Sequence, residues 1–341
     1  MAHVAMVVTN SCAPDPRVER HASWLVETGH KVEIHAWDRE FEHPEIEIKS
    51  GYKIIRYRIG KKPTNNSMKT WIRKKKFISR LNIESDILIL NDTDSMGVKS
   101  RGKTVLDIHD MAFTWPLMRG GTILHKLASN QMLKQAKQAV QHADEIIVSA
   151  PKFDEWVGRF GKNTTCVMNR RNSQSISICT DKKVGYFGRI REYKSISDLI
   201  NAAKIAGFDV VLAGDGLAVK QLIHDFPNLD YRGKFDESNL IDLMQEISVM
   251  YAMYDDSRAN IQLGAIPTKM LDAAAFGIPS VTNSGTPMGD LCLSEKIGTV
   301  APYGEVEEIA EAILDAYQME VKTRPSNDKE EFQNLIKRLM A

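Results

Sequence analysis

At 341 residues the chain is longer than one hydrophobic core ordinarily sustains, so two domains are expected. Hydrophobic residues make up 43% and charged residues 26%, and 45 Lys and Arg against 44 Asp and Glu argue against a dedicated nucleic-acid binder. The four cysteines, Cys12, Cys166, Cys179 and Cys292, are too scattered for a zinc or disulfide framework, and no apolar run reaches the roughly 18–20 residues of a membrane span.

The N-terminal MAHVAMVVTN lacks a basic region and runs into a proline-rich turn, so it reads as a strand and not a signal peptide. The protein is therefore expected in the cytoplasm, with any membrane contact peripheral and on the inner face. In chain order the patterns predict a strand over 3–9, a helix over 16–28 and a strand over 31–37. The helix carries its own signals: Asp15 to cap it, Pro16 at its first position, Val18, Ala22, Leu25 and Val26 as an apolar face, and Gly29 to end it. Further strands are expected over 86–90, 104–108, 145–149 and 165–168, with a helix over 122–142. A polar stretch over 169–181 reads as a linker. A second cycle follows: strand 183–187, helix 195–206, strand 209–213, another helix, strand 249–254, helix 268–276 and strand 280–283.

Alternating strands and helices of this kind make an α/β chain of two Rossmann-like, doubly wound domains facing a cleft. The expected divisions are 1–172 and 173–322, with a C-terminal helix over 323–341 that would pack back on the first domain. Ligands of such sheets sit outside the carboxyl ends of the strands, where the strand order reverses.

The run Gly188-Arg189-Ile190-Arg191-Glu192-Tyr193-Lys194 follows a strand and precedes a helix. Gly188 permits a tight turn, and Arg189 and Lys194 bring two cations to a helix N-terminus, which suits a diphosphate; a solvated surface turn is the other reading. A second segment, Pro267-Thr268-Lys269-Met270-Leu271-Asp272, opens a helix of small residues that Gly277 ends. It is either an ordinary packed helix or one whose first amides meet an anion, with Asp272 accepting hydroxyl hydrogen bonds.

Taken together the two segments resemble the donor half of retaining glycosyltransferases of family 4, which have the GT-B fold. The resemblance implies that Gly188, Arg189 and Lys194 hold the diphosphate of a nucleotide sugar. It also implies that Pro267, Thr268 and Lys269 lie at the donor, with Asp272 on its ribose. Leu212-Ala213-Gly214-Asp215-Gly216 is similar to the family's Gly-Asp-Gly turn, which adds Gly214 and Gly216 to the donor site. In the first half, Asp15-Pro16-Arg17 and Gly29-His30-Lys31-Val32 resemble the family's N-terminal loop, helix and second strand. Asp107-Ile108-His109-Asp110 resembles the strand end whose His touches the transferred sugar. The match runs from about residue 3 to about 318. Two positions depart from it: the Glu that many members carry eight residues before the ribose acid is Gly264, and Asp272 is one methylene shorter than the usual Glu.

The resemblance implies a hexosyltransferase-like enzyme that retains configuration and uses neither cofactor nor metal. Arg189, Lys194 and His109 are its catalytic residues, and a glycan or lipid-linked molecule is its acceptor. On residue grounds alone His109 lies where α/β sheets place ligands, and Asp110 would fix its tautomer or cap the next loop. Asp255-Asp256 reads as a solvated turn, not a metal site. Residues 53–80 hold eleven Lys or Arg and no Asp or Glu. Within them Lys69, Arg73, Lys76 and Arg80 form one stripe, with Met68, Trp71, Ile72 and Ile78 mostly on another. That pattern is a helix packing on its domain with a solvated basic face, or an interfacial helix on an anionic membrane. Nucleic acid is not expected. The rivals are an epimerase or phosphorylase of the same fold and a catalytically degenerate binding partner of another transferase. Neither half opens with G-x-G-x-x-G, which argues against a nicotinamide dehydrogenase.

Overall fold

A computed structural model describes residues 1–61, 67–119, 122–177 and 179–341, in two compact units. The first unit comprises 1–168 and 327–341, and the second 169–326.

The first unit contains β1 (His3–Val8), α1 (Pro16–Glu27), β2 (Lys31–Trp37), β3 (Ile46–Lys49), β4 (Tyr52–Tyr57), α2 (Ser67–Arg80), β5 (Ile87–Asn91), β6 (Lys103–Ile108), α3 (Ile123–His142), β7 (Glu145–Val148), α4 (Pro151–Gly158) and β8 (Thr165–Cys166). Its sheet runs β3-β4-β2-β1-β5-β6-β7-β8 and is parallel except for β3 against β4. Every residue of β5 is buried, as a strand covered on both faces requires. The order reverses at β1, which lies between β2 and β5.

The β3–β4 hairpin was not anticipated. Its signal is Ser50-Gly51, where φ is +49° and +83°, the two-residue turn whose twist matches paired strands. The hairpin also breaks up the expected basic run. Lys53 and Arg56 belong to β4, and Arg56 is buried, donating to the carbonyls of Ser11 (2.8 Å), Pro44 (3.0 Å) and Cys12 (3.1 Å). Lys62, in the same run, lies outside the described residues.

The second unit contains β9 (Lys183–Phe187), α5 (Tyr193–Ala206), β10 (Asp209–Ala213), α6 (Val219–Asp225), β11 (Asp230–Tyr231), α7 (Leu240–Gln245), β12 (Val249–Tyr251), α8 (Ala259–Gln262), α9 (Thr268–Ala275), β13 (Ser280–Asn283), α10 (Pro287–Glu295), β14 (Gly298–Ala301) and α11 (Val306–Tyr317). The parallel order β11-β10-β9-β12-β13-β14 reverses at β9. Two-sided burial holds it: Leu199, Ala202 and Ile313 pack on one face, Leu243, Met244 and Phe276 on the other.

The final helix, α12 (Asp328–Met340), is part of the first unit. Phe332, Leu335 and Ile336 are buried there, and the Phe332 ring stacks on His21 at 4.4 Å. The divisions differ from 172 and 322 by a few residues. Arg170 pairs with Glu295, and Arg171 with Asp272 and Glu237, so the chain is tied into the second unit from 169 onward.

Candidate active site

At the reversal in the second sheet, two loops interlock. The amide of Gly188 donates to the Ala213 carbonyl (2.9 Å), and that of Ile190 to the Asp215 carbonyl (2.8 Å). Gly214, at φ +134°, has no room for a side chain: a Cβ would stand 1.8 Å from the Gly188 oxygen. At Gly216 it would meet the Ile190 oxygen at 2.0 Å. Both glycines therefore act by letting two strand-to-helix loops touch, which fixes Arg189 and Arg191 at the carboxyl end of β9.

Beside them is a cavity of about 290 Å³, lined by Gly188, Arg189, Arg191, Arg258, Thr268 and Lys269, with Tyr186 and Tyr254 among its walls. Its chemistry is cationic. Arg189 reaches Asp215 at 2.8 Å and is mostly exposed, so that pair is weak and exchangeable. Arg258 pairs with Glu192. Lys269 is 6% exposed, and its Nζ has no hydrogen-bond partner among the described residues. That Nζ sits 3.0 Å from the centroid of the Tyr186 ring, and burial holds its pKa well below the usual lysine range. A buried amine placed this way is suited to pair with an anion.

The expected donor residues are not all at this cavity. Lys194 is on the first turn of α5, where its ammonium reaches Asp198 at 2.6 Å and lies 5.5 Å from the Tyr303 ring centroid; it does not line the cavity. Pro267 caps α9 directly before Thr268. Asp272, one turn inside α9, is 3.3 Å from Arg171 Nε and also stands outside the cavity lining. Arg191 and Arg258 were not assigned as site residues. Arg191 lay in view between Arg189 and Lys194, whereas Arg258 is far along the chain and no local pattern marks it. Gly264 adopts φ +108° where α8 ends, a conformation that disfavours the glutamate common at that position. Asp255 accepts from the Ser257 amide (2.9 Å) and hydroxyl (2.6 Å), as a turn residue does.

In the first unit, β5 and β6 end in a buried ionic cluster. Arg17 is not in an open loop: it is 5% exposed and grips Asp107 through Nη2 (2.6 Å) and Nε (3.1 Å). Asp15 caps α1, accepting from the Val18 amide at 3.3 Å. His109 Nε2 is 3.2 Å from Asp107, and its Nδ1 is 3.6 Å from Asp92. Burial opposes a charge on this ring, but Asp92 and Asp107 outweigh it and push its pKa up to about 9. Burial likewise pushes Asp92 up to about 7, against the pull of His109. Both nitrogens of His109 face carboxylates, which favours its imidazolium form, so contact with a sugar would require an exchange of partners. Asp110 serves the next loop, accepting from the Met111 amide (2.7 Å) and the Trp115 indole (2.8 Å), while Asp107 and Asp92 hold the His109 ring.

On α2 the stripe divides. Lys69, Lys76 and Arg80 are exposed, whereas Arg73 is half-buried, its Nε 3.1 Å from where a Cβ on Gly60 would stand. Phe77 anchors the helix in the core, while Met68, Trp71 and Ile72 stay exposed. Lys75 Nζ sits 3.7 Å over the Trp71 ring. Among the described residues, no helix is long and apolar enough to cross a membrane.

Residues 181–319 match the family described as glycosyl transferases group 1. No curated protein matches the chain in sequence. Several solved structures share its fold at low identity. A sucrose-phosphate synthase from Thermosynechococcus elongatus has a TM-score of 0.71 at 15% identity, over 98% of this chain and 95% of that one. Anabaena HepE in complex with UDP and glucose has a TM-score of 0.65 at 14% identity, over 100% of both chains. WaaG, a glycosyltransferase involved in lipopolysaccharide biosynthesis, has 0.64 at 12% identity, over 98% and 95%.

Two doubly wound units, with a cationic cavity at the strand reversal of the second, define a GT-B protein. The chain has the GT-B fold, and its second unit, which carries the cavity, matches the group 1 glycosyl transferases over residues 181–319.

Proposed function

We propose that the chain transfers a sugar from a uridine diphosphate sugar to a glycan or lipid-linked acceptor, with retention of configuration and without a metal. The observation that carries this reading is Lys269, a buried amine without a hydrogen-bond partner, facing a cavity edged by three arginines. A diphosphate supplies the missing anion, and HepE, of the same fold, is known in complexes with UDP and with UDP-glucose. In the transfer, the bond from the anomeric carbon to the diphosphate oxygen breaks and its electron pair leaves with the diphosphate. The acceptor hydroxyl attacks from the same face, and its proton passes to the departing diphosphate. Arg189, Arg258 and Lys269 stabilise the charge that develops there, which is where such sites gain most. Lys194 joins them by leaving Asp198, which its own exposed side chain permits. Asp272, steadied by Arg171, takes the ribose. His109 orients the sugar, and Gly264 leaves the sugar without the usual carboxylate. The reaction is cytoplasmic, and α2 lays its exposed cations on an anionic membrane face.

The test is a thermal-shift and calorimetric screen against UDP, GDP, ADP and their sugars, followed by product analysis with and without acceptor. UDP-dependent stabilisation with slow donor hydrolysis is expected. A diphosphate that leaves stability unchanged removes the reading. Epimerised donor without transfer would favour an epimerase instead.

A further inference from the structure

One residue of the second unit's cavity carries a charge that runs against the rest. Glu192 lines it together with Arg189, Arg191, Arg258 and Lys269. A carboxylate repels a diphosphate, so a site shaped by anion binding alone would leave it out. Its place in the chain does not account for it either. Glu192 stands at the cap position of α5, but its side chain makes no capping hydrogen bond, and glutamate is not among the favoured caps.

The carboxylate is turned instead toward the loop that follows β12. One oxygen, Oε1, pairs with the Arg258 guanidinium. The other, Oε2, accepts from the Asp255 amide at 3.3 Å and lies 3.5 Å from the hydroxyl of Tyr303, in the loop after β14. Asp255 and Arg258 are the two ends of one turn. The Arg258 amide donates to the Asp255 carbonyl at 3.2 Å, and the Ser257 amide to the Asp255 side chain at 2.9 Å. Glu192 therefore grips that turn at both ends, from the neighbouring loop after β9. The Glu192 and Arg258 side chains are only 21% and 22% exposed, so water screens the pair little. Arg258 depends on such a partner, because burial, and then the nearby Arg191, disfavour its charge. A guanidinium fixed before an anion arrives also loses less freedom on binding.

We propose that Glu192 is a positioning residue of this cavity: it holds the 255–258 turn, and through it Arg258, where the guanidinium meets the donor diphosphate. The proposal rests on the reading that the cavity takes the diphosphate of a nucleotide sugar. Glu192 touches Arg258 and not the substrate, and its gain in placing a cation outweighs the repulsion of its own charge.

Two measurements test it. Hydrogen exchange on the ligand-free protein reads the grip itself. Glu192→Ala removes the acceptor of the Asp255 amide, so exchange across 255–258 should quicken by about 10-fold or more. Arg189→Ala, which alters a cation of the same cavity outside this turn, should leave that exchange as it is. Calorimetry with UDP reads the use of the grip. Glu192→Ala should weaken Kd by about 10-fold, although it deletes a repelling charge. Glu192→Gln, nearly the same shape with one oxygen in place of two, should fall between, and it guards against a loss caused by misfolding. The effect of Glu192→Ala should vanish once Arg258→Ala is in place and persist beside Arg189→Ala, since the carboxylate acts through Arg258 alone. Unchanged exchange at Asp255 overturns the proposal. So does UDP binding as tight as wild type or tighter in Glu192→Ala, which would leave the carboxylate a mere counter-charge. A full 10-fold loss in the Arg258→Ala background overturns it as well. Wild type that ignores UDP removes the transfer reading instead, and the exchange result still decides whether Glu192 holds the turn.

Discussion

Replacing Lys269 by Met should uncouple the stability of the second unit from its nucleotide binding. Met keeps an unbranched stem against the Tyr186 ring and removes the amine that lacks a hydrogen-bond partner. An unmatched buried polar group costs about 1–3 kcal/mol, so the free protein should gain stability of that order. For a domain of this size that is a rise in Tm of about 2–4 °C per kcal/mol. UDP binding should move the other way. Losing a charge-assisted contact of about 1.5–3 kcal/mol weakens Kd by roughly 10- to 150-fold. UDP at 100 times the wild-type Kd stabilises wild type by about 2.7 kcal/mol, but a variant 100-fold weaker by only about 0.4 kcal/mol. Burial depresses the folded-state pKa of Lys269, so the unfolded chain holds the extra proton. Wild-type stability should then rise as pH climbs toward the ordinary lysine range, and the variant should not follow. The assays are thermal melts with and without UDP, and calorimetry in buffers of different ionisation enthalpy, where only wild type takes up a proton on binding. A variant that melts several degrees lower and binds UDP within about twofold of wild type would refute the reasoning.

Arg189→Ala and Lys194→Ala should each lower kcat/KM by about 10²–10³, as lost donors to a leaving diphosphate do, and near-normal kinetics in both would withdraw the diphosphate site. His109 has a folded pKa raised to about 9 from an ordinary 6.5, so its stabilising charge is fully present below about pH 6.5 and is lost as pH rises through 9. The contribution is at most about 3 kcal/mol, and urea melts of wild type and His109→Gln should converge as pH rises across that window; parallel curves would contradict it. EDTA should leave turnover largely intact because the cations at the cavity are side chains, and activity restored by Mg²⁺ after chelation would contradict that.

Local chemistry made much of this protein legible from its sequence. Short, mostly apolar runs placed β9 and β10 at their observed bounds, because a strand covered on both faces is built largely of apolar residues. The Asp15 cap and the glycines of the β9 and β10 loops were readable for the same reason: cap and turn geometry depends on a few consecutive residues. The remaining features depended on residues far apart in the chain. Arg17 matched a loop motif by position, yet it is buried against Asp107, ninety positions away. Asp92, and not the adjacent Asp110, faces the His109 ring. Arg258 enters the cavity from a separate loop, and Arg73 turns toward its domain beside Gly60. Lys269 was visible as one lysine in a motif, but its sequence could not distinguish a solvated ammonium from a buried amine. Burial is set by everything that packs around a residue, and for an ionisable group burial decides both its charge and what it can bind.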